Sequence, residues 1–304
     1  MCCTRRSVSP VVAGESTHVE LTQPGGGVRV VEMRTAAATA HGELLRVVSL
    51  RDVTRQWHAE REAERFQRLL LPKLPDLAPF ETAAVYRPAA VAEKLGGDWY
   101  DAVPLPGGAV GAVIGDVAGH SLQAAAAMAQ IRNMLRALLY DRPATPGSVL
   151  TRLDRTLRAI NESPVTTACV ARIEPGGDAW RLLWSSAGHP PPLLLTPAGA
   201  AEYLHTDPGL PLGVDPARPR LDAVRSLPEG TTVVLFTDGL VERPDQNLDV
   251  GLASLAAIAE RSARLPLGEL CRILADRHPG DGHDDIAILA LRMPAPPHDG
   301  SAPP

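Results

Sequence analysis

Residues 96–121 read GGDWYDAVPLPGGAVGAVIGDVAGHS, and the fold turns on how this stretch is parsed. Apolar runs flank Pro106-Gly107-Gly108, from Trp99 to Leu105 and from Val110 to Asp116, with the length and turn chemistry of a β-hairpin. Asp98 enters the first strand from a Gly-Gly turn and Asp116 stands where the second stops, so two carboxylates lie near opposite ends of the hairpin. Two acidic groups delivered to a sheet edge by flanking glycines supply hard oxygen ligands on a stiff frame, which is what a divalent cation needs. An aspartate beside glycine also makes ordinary turns. The weight therefore comes from further carboxylates in the same kind of position.

Outward from the hairpin the texture alternates. Thr82 to Tyr86 reads as a strand before it. After it, residues 121–140 (SLQAAAAMAQIRNMLRALLY) are the strongest helical signal, with Met128, Ile131, Leu135 and Leu138 on one face. Thr145-Pro146 opens a second helix through Val149, Leu153, Leu157 and Ile160. Strand-like runs follow at 166–173, 180–186 and 192–195, then a Pro/Gly loop at 207–216 and strands at 223–227 and 231–236. Two helices near 252–261 and 267–278 precede the loop PGDGHDD and a closing strand at 286–291. This order predicts an α+β fold of antiparallel sheets with helices laid on the outside.

The first 75 residues are less regular. Residues 1–20 are polar and aperiodic and are expected to be disordered. Residues 27–34 and 43–50 read as strands around the connection AAATAHG, and the second runs into RDVTRQWHAERE. That segment is similar to the closing strand and exit helix of a PAS sensor domain, which makes residues 21–51 a truncated PAS-like remnant. From Asp52 to Leu71, Ala59, Ala63, Phe66 and Leu70 form a short apolar stripe that Pro72 and Pro75 end. The expectation for 52–75 is a regulatory linker helix, whose 52–71 portion offers a homodimer contact. A catalytic domain over 76–293 and a disordered Pro-rich tail over 294–304 complete the organisation.

Composition narrows the classes of function. A net charge of -5 gives no general attraction to nucleic acid or to anionic lipid. No stretch approaches the ~18 apolar residues of a membrane span, and Arg5-Arg6 are followed by no apolar core of a secretion signal, so a cytoplasmic protein is expected. Cys2, Cys3, Cys169 and Cys271 show no ligand spacing, and the last two lie in apolar runs as small buried hydrophobes.

Four carboxylates share one grammar: Asp98 after Gly96-Gly97, Asp116 after AVGAVIG, Asp238 after VVLFT, and Asp284 before IAILAL. Each marks the end of an apolar strand. Carboxylates that converge repel one another unless a cation neutralises them. An all-oxygen set without cysteine favours Mg²⁺ or Mn²⁺ over Zn²⁺. Two such ions about 3.5–4 Å apart lower the pKa of a bridging water and clamp a phosphoryl oxygen.

GGDWYD, GDVAGHS, SSAGHPPPLL, LPLGV, FTDGLVE and HDDIAIL occur in the order found in the SpoIIE-like branch of the protein phosphatase 2C (PPM) family, and the helical lead-in FQRLLLPKLP is similar too. The resemblance covers residues 66–292. It implies two antiparallel sheets stacked face to face and covered by helices. It also implies a centre of two Mn²⁺ or Mg²⁺ ions that hydrolyses phosphoserine or phosphothreonine with cation-activated water. Carried over by motif, Asp98, Asp116, Asp238 and Asp284 are the metal ligands, with the Val117 backbone carbonyl contributing and Asp116 as the bridge. Asp285, Gly97 and Gly239 stand behind them. His120 is a candidate general acid, with packing at the helix start as the alternative, and His189 reads as structural. Ser121 replaces a glycine common in this branch, and its hydroxyl is suited to capping the following helix. The substrate implied is a phosphorylated anti-sigma-factor antagonist in a bacterial stress or development switch.

Two other readings compete. GGD is shared with diguanylate cyclases, but Trp99-Tyr100 follow it here and no other phosphate-cradling glycine motif appears. A catalytically silent phosphatase fold that binds a sigma-factor regulator is the second, against which the four intact carboxylates argue.

Overall fold

The computed structural model describes residues 16–23, 26–40, 43–58, 61–62, 70–89, 96–119, 121–160, 165–207, 209–215, 217–243, 246–277 and 284–295. The chain divides into two compact units, Met1–Arg65 and Phe66–Pro304.

In the first unit, β1 (Ser16–Thr22), β2 (Val28–Ala40) and β3 (Glu43–Asp52) form an antiparallel sheet in the order β1-β2-β3. Two expectations are corrected. The segment read as disordered ends in a strand from Ser16 onward, and the alanine run read as a connection continues β2 as far as Ala40. Backbone pairing explains the second: Ala36 stands opposite Val47 and Ala37 opposite Arg46, so the ladder holds residues of low strand propensity. Residues 54–58 and 61–62 are helical, and residues 59–60 and 63–69 of the expected helix 52–71 lie outside the described residues.

The second unit is a four-layer sandwich. One sheet contains β5 (Asp98–Leu105), β6 (Ala109–Val117), β7 (Thr166–Pro175), β8 (Trp180–Ala187) and β11 (Ala223–Leu227), in the order β11-β8-β7-β6-β5. The other contains β4 (Glu81–Arg87), β9 (Leu193–Leu195), β10 (Ala201–Tyr203), β12 (Thr232–Phe236) and β13 (Ile286–Arg292), in the order β10-β9-β12-β13-β4. Every pairing is antiparallel.

Side chains alternate faces with a period of two along a strand, and this alternation divides the core into three. Val110, Ala112 and Ile114 of β6 meet Ala287, Leu289 and Leu291 of β13 between the sheets. Val113 and Val117 face outward onto α1 (Leu122–Asp141) and α2 (Pro146–Ala159). Val234, Phe236 and Ile288 face the other way onto α3 (Leu248–Ser262) and α4 (Leu267–Arg277). Cys169 and Cys271 are buried free thiols within these layers.

Local chemistry fixes the helices to the sheet that carries the hairpin. The Ser121 hydroxyl accepts from the Ala124 backbone N–H at 3.3 Å and caps α1. Arg136 of α1 donates twice to the buried carboxylate of Asp101, at 2.8 and 2.7 Å. A buried pair, Arg220 with Asp154 at 2.6 Å, ties α2 to the loop that carries LPLGV. Ser121→Ala removes one cap bond and is expected to lower stability by about 1 kcal/mol, read as a downward shift of the chemical-denaturation midpoint at constant m-value.

Candidate metal centre

The hairpin places its carboxylates more tightly than its sequence suggested. Antiparallel pairing turns the two chain ends of the hairpin into one spatial end, and Asp98 stands directly opposite Asp116. Both continue the parity of Tyr100, Ala102, Ile114 and Ala112, so their carboxylates face the space between the sheets. The Pro106-Gly107-Gly108 turn closes the far end, with φ of +75° and +74° at its two glycines. The second sheet meets this end with the exit of β12, where Asp238 opens a single 3-10 turn, and with the entry to β13.

Asp98, Asp116 and Asp238 each offer an oxygen within 4.8 Å of the other two. Asp284 is exposed and lies outside this tightest group, yet its charge raises the pKa of both Asp116 and Asp238. Asp285 is buried and acts on Asp98. The parity of β13 accounts for the difference. Ala287, Leu289 and Leu291 face the inter-sheet core, so Asp285 extends that face while Asp284 precedes the strand. The Asp285 carboxylate is held by the Ala89 backbone N–H at 2.7 Å and by the Tyr86 phenol.

Two glycines make the approach possible. A β-carbon on Gly97 would stand 2.0 Å from the Val117 carbonyl oxygen and 2.8 Å from Asp116 Oδ1. One on Gly239 would stand 2.1 Å from the Asp285 carbonyl oxygen. The Val117 carbonyl thus lies beside Asp98's own turn, with Val117 N donating to Gly97 O at 3.2 Å.

The electrostatics are those of anions held together. Burial, then Asp116, Asp285 and Asp238, hold the Asp98 carboxyl well above its ordinary range. Burial, then Asp238 and Asp284, push Asp116 up to about 7. Burial, then Asp284 and Glu242, push Asp238 up to about 6. Asp98 Oδ2 is buried with no hydrogen-bond partner among the described residues. An unsatisfied anionic oxygen inside a set of mutually repelling carboxylates is a group waiting for a cation. The donor set therefore fits a hard divalent ion.

Sequence reasoning missed three neighbours. Thr237 is fully buried, bonds to the Asp98 side chain and accepts from Ala287 N at 2.8 Å. Tyr86 supports Asp285, and Thr167 pairs with Asp116 across β7 and β6. Tyr86 and Thr167 lie on strands and Thr237 directly follows one, each at the parity that faces the space between the sheets. His120 and His283 lie outside the described residues.

Comparison with known proteins gives the class. The family model described as Stage II sporulation protein E (SpoIIE) matches residues 106–294, and the chain belongs to that family. Its fold is that of the PP2C (PPM) serine/threonine phosphatases. It is 26% identical over 234 residues to the phosphoserine phosphatase RsbU of Bacillus subtilis, covering 74% of this chain and 67% of RsbU. The RsbU and RsbW domains of Rv1364c from Mycobacterium tuberculosis match at 32% identity and a TM-score of 0.63. That match covers 72% of this chain and 61% of the solved one, so this chain spans less than two thirds of it. The PP2C phosphatase domain of SpoIIE from Bacillus subtilis, solved with a fragment of its regulatory domain, shares the fold at 15% identity, with a TM-score of 0.58 over 90% of this chain and 80% of that one.

Proposed function

We propose that this phosphatase removes phosphate from a serine of a small anti-sigma-factor antagonist, with two Mn²⁺ or Mg²⁺ ions held by Asp98, Asp116, Asp238, Asp284 and the Val117 carbonyl. The observation that carries the reading is the convergence of three strand-end aspartates, with the buried Asp98 Oδ2 unpartnered among the described residues, in a chain of the SpoIIE family. When bound, such a pair of cations activates water and neutralises charge on a phosphoryl group.

The chain's own residues supply position. Asp98 and Asp116 are fixed by the backbone ladder of the hairpin, and Thr237 orients the Asp98 carboxylate. Asp285, immobilised by Ala89 N and Tyr86, sets the start of β13 and with it the place of Asp284. Supports that hydrogen-bond to a ligand or fix its strand govern how that ligand is oriented. His120, four residues past Asp116, is the proton donor the sequence offers to a leaving serine oxygen.

The assignment of substrate rests on the likeness to RsbU and to the RsbU domain of Rv1364c. Among the described residues no helix is long and apolar enough to cross a membrane, and the acidic net charge leaves affinity to the partner's surface. Comparing phosphopeptides from a deletion strain and wild type is expected to reveal one accumulated phosphoserine, on a small sigma-regulator antagonist. The purified chain with Mn²⁺ should then remove that phosphate, and chelation should stop it. An unchanged phosphoserine pattern would refute the substrate assignment.

A further inference from the structure

His189 lies in the SSAGHPPPLL segment and is 4% exposed. Its ring reaches both sheets. Nδ1 is 2.9 Å from the Thr167 hydroxyl on β7, and Nε2 is 3.0 Å from the Phe236 carbonyl on β12. A carbonyl only accepts, so Nε2 carries the proton and Nδ1 accepts from Thr167. Burial lowers the ring's pKa to about 4, which keeps this one tautomer at neutral pH. The loop is itself fixed: His189 N donates to Ser186 Oγ at 3.0 Å, and Ser186 Oγ donates to the His189 carbonyl at 3.1 Å.

The two ends of this bridge are informative. Thr167 is the residue opposite Asp116 in the β6–β7 ladder. Phe236 is two residues before Asp238. Asp116 belongs to one sheet and Asp238 follows a strand of the other, and among the described residues no backbone hydrogen-bond ladder joins the two sheets. Apolar packing between sheets fixes their spacing only softly, because it is not directional. A pair of directional hydrogen bonds fixes it sharply, and the low surrounding polarity strengthens them.

We infer that His189 is a positioning residue: its imidazole pins β7 to β12 behind the carboxylates and so sets the separation of Asp116 from Asp238. The inference rests on the reading of those aspartates as cation ligands. It adds a support that touches no ligand directly and works through the strands that deliver them.

The test is titration of the metal-free full chain with Mn²⁺ by calorimetry, for wild type, His189→Leu, His189→Gln and Thr167→Val, with circular dichroism reporting the fold. His189→Leu is expected to bind Mn²⁺ about 10–100-fold more weakly while keeping its far-ultraviolet spectrum. Thr167→Val loses one arm of the bridge and is expected to fall between wild type and His189→Leu. His189→Gln, whose amide both donates and accepts, should recover part of the loss. Nitrogen-15 spectra of the wild-type ring should show a protonated Nε2 and a bare Nδ1 at neutral pH. A folded His189→Leu with wild-type Mn²⁺ affinity would overturn the inference. Should that variant not fold, Thr167→Val decides, and wild-type affinity there overturns it equally. Wild-type protein that binds no Mn²⁺ would instead refute the metal centre itself, and the inference with it.

Discussion

Asp116→Ala is expected to lower Mn²⁺-dependent turnover of p-nitrophenyl phosphate by about a thousandfold or more, which at 1.36 kcal/mol per decade is about 4 kcal/mol of transition-state stabilisation. Asp116 is the most connected of the carboxylates. It faces Asp98 in the hairpin, lies within 4.8 Å of Asp238 by its oxygen, and is acted on by Asp284 and Asp285. In the proposed two-cation site a ligand in that position would contribute to both halves. The same substitution should leave the metal-free chain as stable as wild type, or more so, because it deletes a partly buried anion that its neighbours repel. That opposition separates loss of a ligand from loss of the fold. Initial rates with Mn²⁺ and melting curves in chelator, measured on the same preparations, check both halves. Equal rates in variant and wild type would end the two-cation reading.

The features that positioned the site were legible because they are local. Asp98, its glycine turn and Asp116 sit on one hairpin, and a hairpin announces its register through the Pro106-Gly107-Gly108 turn and the apolar runs around it. The helices announced themselves through their stripes: Met128, Ile131 and Leu135 are indeed buried against the sheet. What the letters HDD do not give is which aspartate points inward. That depends on the parity of β13, which is set by its pairing with β12 and β4 and not by neighbours in sequence. Asp285 therefore emerged as the buried carboxylate and Asp284 as the exposed one. Long-range placement also hid Tyr86 and Thr237, whose partners Asp285 and Asp98 lie far from them in sequence. His189 was read as structural from its Gly-Pro loop. Its bridge joins residues 22 positions before it and 47 after it, a relation that no sequence period encodes. At the other extreme, β10 has three residues, too short for any alternation to register.

In the metal-free protein the contribution of Asp116 and Asp238 to stability is expected to fall as pH rises from about 4 to about 7, and divalent cation should offset that loss. The sign follows from the direction of the shifts. Asp116 and Asp238 have an ordinary value of 3.8 when the chain is unfolded, and in the fold they titrate near 7 and near 6. Between those values the folded chain holds protons that the unfolded chain has released, so their contribution is fully present below pH 4 and disappears as pH rises through 6 and 7. At about 1.4 kcal/mol for each unit of displacement, the two groups amount to several kcal/mol, enough to move the melting temperature measurably in a domain of this size. Carboxylates in surface ion pairs pull the other way: burial opposes the Arg181 and Arg172 pairs at Glu174, whose pKa is nonetheless lowered, and Arg142 lowers that of Asp141. The measurement is accordingly a difference: wild type minus Asp116→Asn, melted in chelator at pH 4.5 and pH 7.5. The wild type should fall relative to the variant between the two. Added Mn²⁺ at a hundred times its dissociation constant should then return about 2.7 kcal/mol to the wild type at pH 7.5 and little to the variant. A wild type that tracks Asp116→Asn at both pH values, and gains nothing from the ion, would show that these carboxylates do not share one site.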